Sequence, residues 1–157
     1  MKADIKLIRT TFFPNKSATT LTARDISLEE LCDLILKTSA AAKADLPWLK
    51  LAIFGDKRTH KGSLRHDANV VSISGIEADY DDEVMSFDEA TEILEVARLS
   101  ALLYTSPSHT EDNPRWRVLC PTSRDLPPEQ RARLLGRLNG SFGDVFAPES
   151  FALSQVR

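Results

Sequence analysis

The chain has 157 residues, 42% hydrophobic and 27% charged, a composition that excludes a disordered protein and suits one domain, 1–157, with its own core. Two cysteines, Cys32 and Cys120, exclude a disulfide scaffold and a four-cysteine zinc site. The net charge of −3 hides a segregation: no lysine or arginine lies between Arg65 and Arg98, while carboxylates crowd Glu77 to Glu95 and basic residues flank them on both sides.

In chain order, Ile5, Leu7 and Ile8 followed by Thr10-Thr11-Phe12-Phe13 predict a strand over Asp4–Phe13, ended by Pro14-Asn15. Residues 15–25 read as a polar loop. Ser27 and Glu30 match a capping box, and Leu28, Leu31, Leu34, Ile35 and Thr38 follow helical spacing, so a helix is expected from Ser27 through the alanines near Ala44. Leu49, Leu51, Ile53 and Phe54 suggest a second strand closed by Gly55-Asp56. The basic, polar stretch 56–69 is a loop whose Lys57, Arg58, Lys61 and Arg65 are candidates for binding DNA.

Val70, Val71, Ile73 and Ile76 mark a third strand running into Glu77-Ala78-Asp79-Tyr80-Asp81. Alternation would bring Glu77, Asp79 and Asp81 out on one face, where like charges repel unless a hard cation neutralises them; Mg²⁺ or Mn²⁺ suits such oxygens. The same segment also reads as a strand that simply ends in an acidic, solvated turn. An EF-hand is excluded, because the sixth position counted from Asp79 is Val84 and not glycine.

Ser86 and Glu89 match a second capping box before Phe87, Ala90, Ile93, Leu94 and Ala97, an amphipathic helix. Leu102-Leu103-Tyr104 predicts a short strand, then the loop Thr105-Ser106-Pro107-Ser108-His109-Thr110. Trp116, Val118 and Cys120 alternate in another strand, expected to stop at Pro121, with Arg115 and Arg117 on its opposite face. Hydroxyls, an imidazole and two guanidiniums close together suit a triphosphate, since arginine offers paired donors to phosphate oxygens. A surface loop with a capping histidine is the plainer alternative. Pro127-Pro128 opens a third helix with Leu134, Leu135 and Leu138, stopped at Asn139-Gly140, whose arginines could line a nucleic-acid surface. Strand character returns near Phe151 and Leu153. The pattern predicts an α+β fold, a mixed, mostly antiparallel sheet with packed helices.

Several chemistries are excluded. His60, His66 and His109 lack zinc-ligand spacing, no His-hydrophobic-His pair supports a relaxase-type nuclease, and no P-loop motif is present. Cys120 falls on the apolar face, a core cysteine rather than a nucleophile. No apolar run approaches the roughly 20 residues of a membrane span and Met1-Lys2-Ala3-Asp4 opens no signal peptide, so no membrane partner and a cytoplasmic location are expected.

The order Ile76-Glu77-Ala78-Asp79-Tyr80-Asp81, then Tyr104-Thr105-Ser106-Pro107-Ser108-His109-Thr110, then Pro114-Arg115-Trp116-Arg117-Val118-Leu119-Cys120-Pro121 resembles the primase-polymerase domains of the archaeo-eukaryotic primase superfamily, in particular those of phages and mobile elements. The likeness spans about residues 50–155. It implies an RRM-like catalytic core, Mg²⁺ or Mn²⁺ as cofactor, nucleoside triphosphates and a DNA template as substrates, and a helicase domain or protein as partner. Carried over, Asp79 and Asp81 are the catalytic, metal-binding pair, with Glu77 as a shifted partner and Glu149 as the third acid. Ser106, Ser108, His109, Arg115 and Arg117 would hold the nucleotide, His109 with a catalytic role. Family members usually continue beyond the third motif, whereas this sequence ends at Arg157. The expectation is therefore a nucleotidyltransferase of primase or polymerase type, with an inactive nucleotide- or nucleic-acid-binding module left by truncation, or a metal-dependent nuclease, as alternatives.

Overall fold

The computed structural model describes residues 5–155; Asp4, the predicted start of the first strand, lies outside them. Strand β1 (Leu7–Phe13) buries Ile8, Thr10, Thr11 and Phe13 and pairs antiparallel with β2 (Thr22–Ser27) on one side and β3 (Trp48–Lys50) on the other. The last part of the loop predicted over 15–25, from Thr22 to Asp25, is thus the beginning of β2. Its residues Thr22–Asp25 are exposed at a sheet edge, so no apolar alternation marks them in the sequence.

Helix α1 (Leu28–Lys37) starts at the predicted cap. Ser27 Oγ accepts the Glu30 N–H at 3.1 Å and Glu30 Oε2 accepts the Ser27 N–H at 2.9 Å, so two orphan amides of the first turn are satisfied together. It ends at Thr38, short of the predicted Ala44. The residues from Ser39 to Ala44 are all exposed, and alanine propensity without a face to bury does not sustain a helix in water.

The predicted second strand divides at Leu51. Its first half is β3; its second, β4 (Ala52–Phe54), joins another sheet with β5 (Val70–Tyr80), β6 (Leu102–Thr105) and β7 (Trp116–Leu126) in the antiparallel order β4-β5-β7-β6. Helix α2 (Phe87–Val96) links β5 to β6, which run the same way, and β7 fills the gap between them; α3 (Arg131–Ser141) follows. The predicted stop at Pro121 is overridden, because Pro121 sits opposite Gly75 where the β5–β7 register is broken and no ladder amide is required of it. Gly75 permits the close approach: a Cβ there would lie 2.5 Å from Leu51 Cδ1 and 2.9 Å from the Cys120 carbonyl oxygen.

Alternation divides this sheet into two faces. Ile76, Ala78, Tyr80, Trp116 and Val118 pack against Ala90 and Leu94 of α2 and Leu135 and Leu138 of α3, with Tyr80 stacked on Trp116 at 4.6 Å between centroids. The opposite face, through Leu119, meets Leu31 of α1 together with Ile8, Ile26, Leu49 and Leu51. The predicted strand near Phe151 is instead a 3-10 turn over Pro148–Phe151, docked on the edge of β5. The Ala147 N–H donates to the Asp79 carbonyl at 2.9 Å, and the Asp79 N–H donates to Ser150 Oγ at 3.0 Å. No helix among the described residues is long and apolar enough to cross a membrane.

Candidate functional site

Because Ile76, Ala78 and Tyr80 face the helices, Glu77 and Asp79 leave the other side of β5. Their surroundings differ. Glu77 is fully buried: Oε1 accepts from Lys50 Nζ and, at 3.0 Å, from Arg131, while Oε2 accepts the Leu51 N–H at 3.0 Å. Burial alone would raise its carboxyl pKa, but the Lys50 and Arg131 charges with the hydrogen bonds overcome that and bring it down to about 2. This corrects the expectation of Glu77 as a metal ligand: its carboxylate is neutralised by protein cations and shut off from solvent. Arg131, expected with the other arginines of α3 on a nucleic-acid surface, is buried too and also donates to the Ser150 and Glu77 carbonyls; Arg133 and Arg137 remain exposed.

Asp79 lies at the rim. Its Oδ1 accepts from Arg117 Nε at 2.8 Å, across the β5–β7 pair in which the two residues are direct partners, and both side chains keep 18% of their surface. Asp81, just past the end of β5, is exposed. The turn that carries it is pinned from below: Tyr80 Oη accepts the N–H groups of Val84 (2.9 Å) and Met85 (2.6 Å), and Trp116 Nε1 donates to the Met85 carbonyl at 3.1 Å. Glu149 is exposed on the 3-10 turn whose Ser150 holds the Asp79 amide. Among the described residues no three His, Cys, Asp or Glu side chains form a group ready to hold a metal ion.

The β6–β7 loop reaches the same end of the sheet. It is closed by Ser106 N–H to the Arg115 carbonyl and His109 N–H to the Ser106 carbonyl, both at 3.0 Å. His109 Nδ1 accepts the Arg115 N–H at 3.1 Å, which puts the proton of a neutral ring on Nε2. Arg115 Nε donates to Glu83 Oε1 at 2.8 Å, so the histidine loop and the acidic turn are clasped together. Glu83 adopts a positive φ of 62°, a conformation this clasp helps to hold. Ser108 is exposed and Ser106 half-buried. The structure therefore brings Asp79, Asp81, Ser106, His109, Arg115 and Arg117 to one end of the four-stranded sheet, with Arg115 and Arg117 each already facing a carboxylate.

Beside them opens a cleft of about 630 Å³ between β1, β3 and α1 on one side and the start of the β6–β7 loop on the other. Thr105, Ser106, Pro107 and Arg117 line one wall; Phe12, Leu34, Ile35 and Leu49 line the other, with Arg24 at its margin. Cys120 is half-buried against the helix-side core, and burial pushes its thiol pKa up, which keeps it protonated and unreactive.

The basic loop precedes β5 and so adjoins the end of that strand remote from Asp79. Lys57 and Lys61 are exposed there. Arg58 spans the Thr19 and Gly62 carbonyls at 2.8 Å each, and Arg65 lies over the Trp48 ring at 5.1 Å, so these two also brace the loop. Lys50 and Arg131, which hold Glu77, carry no motif of their own. They lie 27 and 54 residues from it along the chain, and the sequence trace of Lys50 is a basic residue set between apolar ones.

No family model and no curated protein matches the chain. Among solved structures it is similar to the AEP domain of the cyanophage S-2L primase-polymerase, with a TM-score of 0.49 and 15% sequence identity, over 99% of this chain and 74% of that one.

Proposed function

We propose that the chain is a metal-dependent nucleotidyltransferase of the primase-polymerase type, extending a strand from nucleoside triphosphates on a DNA template. The observation that carries this reading is the Asp79–Arg117 pair at the cleft, with the acidic turn and the histidine loop clasped beside it by Arg115 and Glu83. The succession β5-α2-β6-β7-α3, with β7 between β5 and β6, supports an RRM-like reading of this half, although the strand on the far side of β5 is β4 and comes before it in the chain.

The oxygen donors fit Mg²⁺ or Mn²⁺ shared with a substrate rather than enclosed by protein. Asp79 and Asp81 would hold it, with Glu149 assisting, and substrate phosphates would complete the shell, as is usual for Mg²⁺. When bound, the ion would neutralise phosphate charge and acidify the attacking hydroxyl. The chain's own groups do the rest. Arg117 and Arg115 present guanidinium donors to phosphate oxygens, His109 offers Nε2–H, and the Ser106 and Ser108 hydroxyls add donors. Held so, the α-phosphorus is open to a 3′-hydroxyl: the new P–O bond forms, pyrophosphate leaves and the hydroxyl proton passes to solvent. Lys57, Arg58, Lys61 and Arg65 would guide the template with salt-sensitive affinity.

Primer extension with Mn²⁺ tests the reading. Asp79→Ala and Asp81→Ala should each lower incorporation at least about a hundredfold, the scale on which lost electrostatic stabilisation is felt; wild-type rates in both would overturn it. A second reading, a nucleotide-binding module that does not polymerise, is favoured by the engagement of Asp79 with Arg117 and the lack of a ready three-donor group among the described residues. It expects triphosphate binding without incorporation, and templated synthesis by the wild type excludes it.

A further inference from the structure

The cleft beside Arg117 has a property that triphosphate chemistry does not use. Its lining includes two arginines, Arg24 and Arg117, and no carboxylate, whereas its far wall is apolar. Phe12 on β1 and Thr22 on β2 are direct cross-strand partners there, and the Arg24 guanidinium lies over the Phe12 ring at 5.7 Å. Ile35 of α1 joins the same wall. A volume of about 630 Å³ is that of a small-molecule site rather than a macromolecular groove. Such a slot matches a ligand with a flat ring at one end and negative charge at the other.

We infer that this cleft holds the base and sugar of the nucleoside triphosphate, with the ring against Phe12 and Arg24 and the phosphates leaving past Ser106 and Arg117. The inference rests on the proposed function and adds the subsite for the base, drawn from the N-terminal sheet and α1 rather than from the acidic strand. The polar groups along the slot include the hydroxyls of Thr20 and Thr22, which can both donate and accept, and that of Thr38, whose proton goes to the Leu34 carbonyl at 2.6 Å and whose oxygen can accept. The site therefore recognises a ring by its faces and discriminates poorly among bases.

Calorimetric titration of the full chain with dATP, dCTP and tripolyphosphate, each with Mn²⁺, separates the parts. Both nucleotides should bind alike within a few-fold, and about tenfold or more tightly than tripolyphosphate, given what one stacked base contributes. Thr22→Trp, a change at an exposed strand position, fills the slot and should weaken dATP about tenfold while leaving tripolyphosphate untouched. Phe12→Ala should do the same, and Arg117→Ala should weaken both ligands. Circular dichroism melting confirms that Thr22→Trp is folded. Equal affinity for dATP and tripolyphosphate, or unchanged dATP binding in folded Thr22→Trp, overturns the base slot and leaves the phosphate site standing. Loss of single-stranded DNA binding in Thr22→Trp with dATP binding intact also overturns it, giving the slot to a template base. If neither dATP nor tripolyphosphate binds the wild type, the proposed function fails and the slot with it.

Discussion

Glu77 and Asp79 stand two residues apart on the same face of β5, and each accepts a hydrogen bond from an arginine. One is sealed with Lys50 and Arg131 inside the molecule, and the other stays open beside a cleft. What separates them is the cover, which comes from residues 27 and 54 positions away for Glu77. A carboxylate enclosed by cations becomes part of the framework, whereas one that meets a guanidinium at a partly exposed rim can exchange that contact for a substrate.

The contrast can be broken most forcefully at Glu77. Replacement by alanine leaves two buried cations without their anion and should cost about 3–5 kcal/mol in urea unfolding; a loss below about 1 kcal/mol would mean that Glu77 is not sealed. Gly75→Ala should cost about 1–3 kcal/mol by the same measurement, because the added carbon meets Leu51 and the Cys120 backbone at the bulge that orients the acidic end of β5. Arg117→Ala, at the rim, should change stability by only about 1 kcal/mol, since Asp79 regains water, while triphosphate binding is weakened. A further stability effect should appear with pH. The Glu77 carboxyl is lowered in the folded state from 4.5 to about 2, so its stabilisation is complete above 4.5 and is lost as the pH falls toward 2. Unfolding free energies across that window should decline in the wild type and flatten in Glu77→Gln; parallel profiles would assign acid sensitivity to other groups.

Much of the architecture is legible in the residues themselves. The caps at Ser27 and Ser86 announce α1 and α2, and apolar alternation marks β5, because local hydrogen bonding and burial agree at those places. The edge strand β2, whose exposed residues have no face to declare, is not legible, nor is the division of one apolar run between β3 and β4 in two sheets. Pro121 misleads because its amide-free position is set by Gly75, forty-six residues earlier by subtraction of their numbers. At one end of the sheet the motif residues Asp79, His109, Arg115 and Arg117 lie together, but Glu83, which clasps Arg115 there, belongs to no motif. Burial of Glu77 is invisible locally, since nothing near it in sequence names Lys50 or Arg131 as its companions.

The edge of β5 at Asp79 accepts from the Ala147 amide and donates to Ser150 Oγ, 71 residues downstream, and the Ser154 amide then donates to Asp67, just ahead of the same strand, at 3.0 Å. A body made only of the described elements from β1 through α3 would present the acidic end of β5 as a bare edge, a template for mispairing with neighbouring chains. The acidic end is thereby completed only when the stretch from Ala147 to Ser154 has docked, and until then the edge of β5 at Asp79 stays open to association with other chains.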